Sequence, residues 1–201
     1  MRNIFTTIVC LLWFGIYAQS IKEQLTQVTT IEDAKKFAQE NQNLDAQLIF
    51  SIPEIENDEF ATKLSTAKPG DIFSDIYFTY KILFATKIQA FRVSYIYLDG
   101  GKLSVKEIEK LRTRILEDYK NGNAFALLAK KYSMDNSKDG DLGWFSEGTM
   151  VPEFETAIKN HKQNDVFKVD VPDKKWYYIV LKTFNDKEVE ELSILKIKSS
   201  T

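Results

Sequence analysis

The sequence has one cysteine and one histidine among its 201 residues. Structural zinc sites take four cysteine or histidine ligands in most proteins, so this shortage argues against one. It also excludes any Ser–His–Asp triad that does not use His161. Neither sign of charge is in large excess, because the sequence has 27 lysines and arginines and 29 aspartates and glutamates, which gives a net charge of −2. A chain so balanced has no overall attraction to nucleic acid, and we expect no nucleic-acid partner, no metal and no other cofactor.

Long hydrophobic runs are absent except for one, from Ile4 to Ala18, which Arg2 precedes. This run is shorter than the ~20 residues that a membrane-spanning helix needs. A basic start, a short apolar core and a small final residue are typical of a secretory signal peptide, which we predict for residues 1–18, with an uncleaved membrane anchor as the alternative. Cleavage there would leave a periplasmic or secreted protein with no cysteine, no disulfide and no membrane span.

The segment that follows, residues 19–90, is predicted to be a small α+β unit. A capping box at Thr29–Glu32 precedes a helical pattern, and Phe60–Ala67 is predicted as a second short helix. Aromatic and β-branched residues from Ile72 to Ile88 favour two strands.

Residues 91–185 predict a second α+β domain, followed by a C-terminal tail or strand at 186–201. Ser104 begins a capping box for a helix that Asn121-Gly122 ends, and Asn123 is predicted to cap the next helix. A third helix is predicted from Pro152 to Ile158. The predicted strands are Phe91–Leu98, Trp144–Phe145, Asp165–Val171, Trp176–Phe184 and, in the tail, Ile194–Ile197. This order favours an antiparallel sheet with surrounding helices.

Three motifs follow one another between Ala124 and Ile158. They are Tyr132-Ser133-x-Asp135, then Gly140-Asp141-Leu142-Gly143-Trp144, then Met150 and Phe154 four residues apart. In this order and spacing they resemble the central part of the parvulin-type peptidyl-prolyl isomerases, in the branch of secretory foldases and chaperones. The resemblance extends from Arg92 to Thr183, and the predicted order of elements agrees with the parvulin fold.

The resemblance implies catalysis of rotation about the bond before proline. That rotation has a barrier of ~18–20 kcal/mol, because resonance stabilises the planar amide. A catalyst needs an apolar floor for the proline ring and polar groups that favour the twisted amide. By similarity to the family, Leu142, Met150 and Phe154 would form the proline pocket, and Asp135 would lie beside the amide, where relatives have an acid or a thiol.

Two family histidines are replaced by tyrosines in this chain. The corresponding positions are Tyr95 and Tyr178, which we predict to support the site through hydrogen bonds. The resemblance therefore implies an exported isomerase that assists the folding of secreted or envelope proteins and acts on proline-containing unfolded or extended polypeptides. The alternatives are a parvulin-fold chaperone that binds peptides with little or no catalysis, or a domain devoted to one partner. The sequence predicts no particular oligomeric state.

Other interpretations of the same residues stay open. Leu142, Met150 and Phe154 are also suited to an ordinary core, and Gly140 and Gly143 predict positive φ in a loop. Asp135, with two further side chains before Gly140, imitates a calcium-binding loop but has no glutamate at the twelfth position. The loop 99–102 has a single basic residue, so phosphate recognition is not expected. His161 is predicted to be a solvated residue at a helix end.

The first half contains pieces that repeat in the second. Ala34–Phe37 matches Ala129–Tyr132, and Phe50-Ser51 matches Phe145-Ser146. These matches suggest a decayed copy of a parvulin half-domain, with chance similarity as the alternative. In such a copy Gln47 would take the place of Leu142, so we expect no second proline pocket there.

Overall fold

A computed structural model describes residues 21–199, and the predicted signal peptide at 1–18 lies outside these residues. Within them the chain forms six α-helices: α1 Ile21–Thr26, α2 Ile31–Glu40, α3 Glu59–Leu64, α4 Val105–Lys120, α5 Phe125–Tyr132 and α6 Pro152–Lys159. The strands are β1 Gln47–Ser51, β2 Ile72–Ser74, β3 Phe78–Asp99, β4 Asp141–Ser146, β5 Val166–Val171, β6 Trp176–Lys182 and β7 Lys187–Lys198. None of these helices is long and apolar enough to cross a membrane.

The seven strands form one sheet, and each strand pairs with its neighbours in antiparallel fashion. The main path runs β1-β7-β3-β6-β5, while β2 and β4 pair with β3 from its other side. The predicted α+β class, with an antiparallel sheet and surrounding helices, is therefore confirmed.

β3 is one continuous strand of 22 residues. The prediction of two strands from Ile72 to Ile88 is confirmed by β2 and the first part of β3. The prediction of a separate strand from Phe91 was wrong, because no glycine or proline interrupts the chain after the short turn at 75–77. The Asp75 carboxylate forms that turn by accepting the backbone N–H groups of Tyr77 and Phe78. The first part of β3 pairs with β7 and the last part with β6, so the predicted boundary between residues 90 and 91 falls inside this strand.

β7 is much longer than the predicted strand at Ile194–Ile197. It pairs along one side with β1 and along the other with the first part of β3. Five of its apolar side chains are at most 3% exposed: Val189, Leu192, Ile194, Leu195 and Ile197. The C-terminal segment therefore completes the N-terminal half of the sheet.

Two helix caps differ from their predicted positions. The capping box of α2 uses Thr30 and Asp33, one residue later than predicted. α5 has Ala124 at its N-cap without a side-chain hydrogen bond, because the Asn123 side chain donates instead to the Asp118 carbonyl. The predicted capping box of α4, with Ser104 and Glu107, is confirmed.

Helices cover both faces of each half of the sheet. In the C-terminal half, α4 and α5 pack on one face through a cluster that includes Ile96, Ile108 and Ile115, all fully buried. On the other face, α6 packs through a cluster that includes Phe154 and Ile158. Partly buried residues of the candidate site pack against this second cluster. The site therefore lies where this part of the core reaches the surface.

Candidate functional site

Tyr178 is the centre of a group of aromatic rings at the junction of β3, β6 and α6. Its ring centroid lies 5.2 Å from Phe154, 5.4 Å from Tyr97 and 6.1 Å from Tyr95. Tyr95 and Tyr97 point to the same side of β3 as each other, because strand side chains alternate. Phe154 is buried at 5% exposure, and the tyrosines are half-buried. The rings therefore form a floor in which Phe154 is packed into the core and the three tyrosine rings are partly accessible to solvent.

The loop after α5 places one carboxylate beside this floor. The Tyr95 hydroxyl donates to Asp135 Oδ2 at 2.6 Å, and the Ser133 hydroxyl donates to Oδ1 at 2.8 Å. Ser133 Oγ also accepts the backbone N–H of Tyr97 at 3.0 Å, which ties the loop to β3. Asp135 itself remains exposed, so its position is fixed while its outer edge faces solvent.

Gly140 brings the end of this loop against β3. Its φ is +81°, and a Cβ at this residue would lie 2.5 Å from the Tyr95 carbonyl oxygen and 2.8 Å from Ala129 Cβ. Only glycine fits this close approach. The positive φ predicted for Gly140 and Gly143 is confirmed.

The wall opposite Asp135 is held by a buried carboxylate. Glu155 on α6 is 7% exposed and accepts the backbone N–H groups of Gly148 and Met150 at 3.1 and 2.8 Å. These two bonds pin the turn before α6 and set the direction of the Met150 side chain. A glutamate in a helix is usually exposed, so the sequence alone did not indicate this role.

Leu142, Met150 and Phe154 line one cavity of about 450 Å³, together with Tyr95, Tyr178 and Asp135. This volume lies within the ~300–1,000 Å³ usual for small-ligand sites. The structure thus brings together all six residues that the sequence singled out. It adds Tyr97 and Trp176 to the lining. The period of two along a strand could have indicated both, since each lies two residues from a predicted site tyrosine.

Burial keeps the site tyrosines in their neutral form. It is the main cause that raises the pKa of Tyr95 to about 12, and the hydrogen bond with Asp135 adds to it. Burial also raises the pKa of Tyr178 to about 12, with the neighbouring tyrosines contributing. Both hydroxyl groups are therefore hydrogen-bond donors throughout the physiological range.

The single histidine is not part of this cavity, whose lining does not include it. The prediction of a solvated His161 was wrong, because its ring stacks on Phe167 with centroids 3.7 Å apart and Nδ1 lies 2.7 Å from the Ala157 carbonyl oxygen. It is a packing residue at the end of α6. No group of three or more metal-ligating side chains is found between residues 21 and 199.

Comparisons with known proteins agree with the motifs. The chain is 36% identical over 104 residues to the foldase protein PrsA of Halalkalibacterium halodurans, which covers 50% of this chain and 31% of that protein. It is 43% identical over 68 residues to the chaperone SurA of Dechloromonas aromatica, which covers 33% of this chain and 15% of that protein. The chain thus spans less than a third of the length of either curated relative.

Among solved structures, PrsA from Bacillus anthracis is 32% identical, with 51% of this chain and 44% of that chain covered and a TM-score of 0.39. A family model described as the PPIC-type PPIase domain matches residues 77–187, which is more than half of the sequence. This chain belongs to the PPIC-type PPIase family.

Proposed function

We propose that the chain is an exported peptidyl-prolyl cis–trans isomerase that assists the folding of secreted or envelope proteins. The observation that supports it most is the open cavity in which Leu142, Met150 and Phe154 face a space next to Asp135. An ordinary core would have filled that space with its own side chains. The names of the relatives, a foldase and a chaperone, agree with clients that are unfolded or extended polypeptides.

The client's proline ring would lie on Met150 and Phe154. The carboxylate of Asp135 would then lie beside the carbonyl oxygen of the preceding residue, which is most negative in the planar amide. Repulsion between the two disfavours the planar form more than the twisted one, so the barrier falls. The hydroxyl groups of Tyr97 and Tyr178 form no hydrogen bond with another residue between 21 and 199, which leaves them available to the client amide.

Neutralising this carboxylate tests the proposal. We expect Asp135→Asn to lower kcat for a prolyl peptide by about 10-fold, which corresponds to a barrier higher by ~1.4 kcal/mol, because the bound planar amide is no longer repelled. KM should fall as well, so kcat/KM should change much less than kcat. The rate is measured by NMR exchange between the cis and trans forms of the peptide. Asp139→Asn is the matched control, because Asp139 lies exposed in the same loop and outside the cavity lining. Equal rates for both variants and the wild type would contradict the assigned role of Asp135.

The rate should show no histidine-like step with pH. Imidazole titrates near ~6.5, whereas the tyrosines at the two histidine positions, with pKa values of about 12, stay neutral. We therefore expect no inflection in kcat/KM between about pH 5.5 and 7.5 that a histidine would explain. An inflection in that range that survives both His161→Ala and Asp135→Asn would show that another group controls the rate.

A second candidate is a peptide-binding chaperone with weak catalysis. The observation that favours it is the tyrosine at each of the two histidine positions, next to an intact apolar cavity. The two functions separate in parallel assays of prolyl exchange and of client aggregation. Suppressed aggregation without any acceleration of exchange would leave the chaperone alone.

A further inference from the structure

The two halves of the sheet have the same arrangement of elements. In the C-terminal half the strand order is β4-β3-β6-β5, and in the N-terminal half it is β1-β7-β3-β2. The chain order α5-β4-α6-β5-β6 likewise corresponds to α2-β1-α3-β2-β3. In this correspondence the first part of β3 takes the place of β6, and β7 takes the place of the last part of β3. The repeated sequence pieces lie in matching elements, α2 with α5 and β1 with β4.

An aromatic pair occupies the same place in each half. Phe60 on α3 lies 4.9 Å from Tyr80 on β3, as Phe154 on α6 lies 5.2 Å from Tyr178 on β6. Lys196 of β7 is the register partner of Tyr80, as Tyr97 is the register partner of Tyr178. Phe60, Tyr80 and Lys196 line a second cavity of about 310 Å³. The N-terminal half therefore has a cavity at the position equivalent to the first.

The floor of the second cavity is apolar. The expectation that Gln47 would make it polar was wrong, because Gln47 is exposed and Ile49 lines the cavity instead. On β3, Ala85 packs in the cluster that contains Leu64 of α3, and Phe91 packs in the cluster that contains Phe154 of α6. Side chains alternate along a strand, and Ala85 and Phe91 are six residues apart. Both cavities therefore lie on the same face of the sheet.

The second cavity is lined by charges of both signs, Lys63 and Lys196 with Glu59 and Asp75, whereas Asp135 is the one charged residue in the lining of the first. Lys63 is paired with Glu59 at 2.9 Å, and the Asp75 carboxylate accepts the Tyr80 hydroxyl and two backbone N–H groups. Lys196 has no carboxylate within ion-pair distance in the part of the chain from 21 to 199, and its ammonium lies 3.8 Å above the Phe78 ring. Of the four charged side chains that line this cavity, Lys196 alone has neither an ion pair nor a hydrogen bond with a residue between 21 and 199, so it is the charged group left for a ligand.

We propose that the second cavity binds another segment of the client polypeptide, one with an aromatic or large apolar side chain next to an acidic residue. The apolar group would lie on Phe60 and Tyr80, and the carboxylate would bind Lys196. That the ligand is a client segment rests on the proposed function. Tyr80 and Tyr95 are fifteen residues apart on β3, about 50 Å when extended, so a client engaging both cavities needs an unfolded segment at least that long.

The test is an NMR titration of the protein with the acetylated peptides Ser-Glu-Phe-Ser and Ser-Lys-Phe-Ser. We expect the acidic peptide to shift the signals of Phe60 and Tyr80 and to bind more tightly than the lysine peptide. Lys196→Glu should weaken binding of the acidic peptide about five- to tenfold. Lys198→Glu is the matched control, since Lys198 is an exposed lysine of the same strand outside this cavity, and it should change the affinity less than twofold.

Equal affinities for the two peptides, equal effects of the two variants, or no shift at Phe60 and Tyr80 would each overturn the second site. The isomerase is tested in a separate titration with a prolyl peptide, which should shift the NMR signals of Met150 and show faster cis–trans exchange. Failure of the second site thus leaves the proposed isomerase intact, and failure of the isomerase appears at Met150 alone.

Discussion

Removal of residues 187–201 is expected to unfold the N-terminal half of the sheet while the half that contains the first cavity stays folded. The deletion takes away β7, which pairs with both β1 and β3. It also removes five side chains of at most 3% exposure. At ~1.5–3 kcal/mol for each buried side chain, this loss is about 8–15 kcal/mol, as large as the ~5–15 kcal/mol that stabilises a whole domain.

The C-terminal half retains its own packing after this deletion. Its two helix-covered clusters contain no residue of β7. Amide hydrogen exchange is the measurement, with protection expected to disappear from β1, β2 and α2 and to persist in α4, β5 and β6. Deletion of residues 199–201 alone is the control, because it leaves β7 in place. Loss of protection throughout the chain would show that residues 91–185 are not the separate folding domain that the sequence predicts.

Met150→Ala is expected to lower kcat/KM for a prolyl peptide by about 5- to 30-fold. The change removes the apolar surface beyond Cβ from a half-buried wall of the cavity, a loss of about 1–2 kcal/mol in contact with the proline ring. The backbone N–H of Met150 still donates to Glu155, so the wall itself should remain in place. The measurement is the exchange rate of the peptide as a function of its concentration.

Leu127→Ala is the matched control for this variant. Leu127 is 65% exposed on α5 and does not line the cavity, so its truncation should leave the rate unchanged. Thermal unfolding of both variants shows whether the fold is preserved. A Met150→Ala protein that is folded and as fast as the wild type would mean that the proline ring binds elsewhere.

The regular elements of the second half could be predicted because their signals are local. Ser104 and Glu107 form the capping box that begins α4, and Pro152 lies at the first turn of α6 as its fixed φ favours. The residues of the site were found through their resemblance to a family. The structure places those residues around one cavity.

Long-range pairing could not be predicted in the same way. The alternating pattern of the last strand is visible in the sequence, but nothing local indicates that it pairs with β1 and β3 and not with its neighbour β6. Glu155 was missed for a similar reason, because the N–H groups that it accepts lie in a loop whose path depends on tertiary packing. The second cavity could not be predicted, because it depends on the register of β7 against β3, which places Lys196 next to Tyr80.

Intermolecular NOEs between the protein and a short prolyl peptide test the central claim most directly. If the cavity admits a client proline, NOEs should connect the proline ring protons with the side chains of Leu142, Met150 and Phe154, and cis–trans exchange of the peptide should be faster in the presence of the protein. Saturating peptide without NOEs to these three side chains, together with an unchanged exchange rate, would contradict the account.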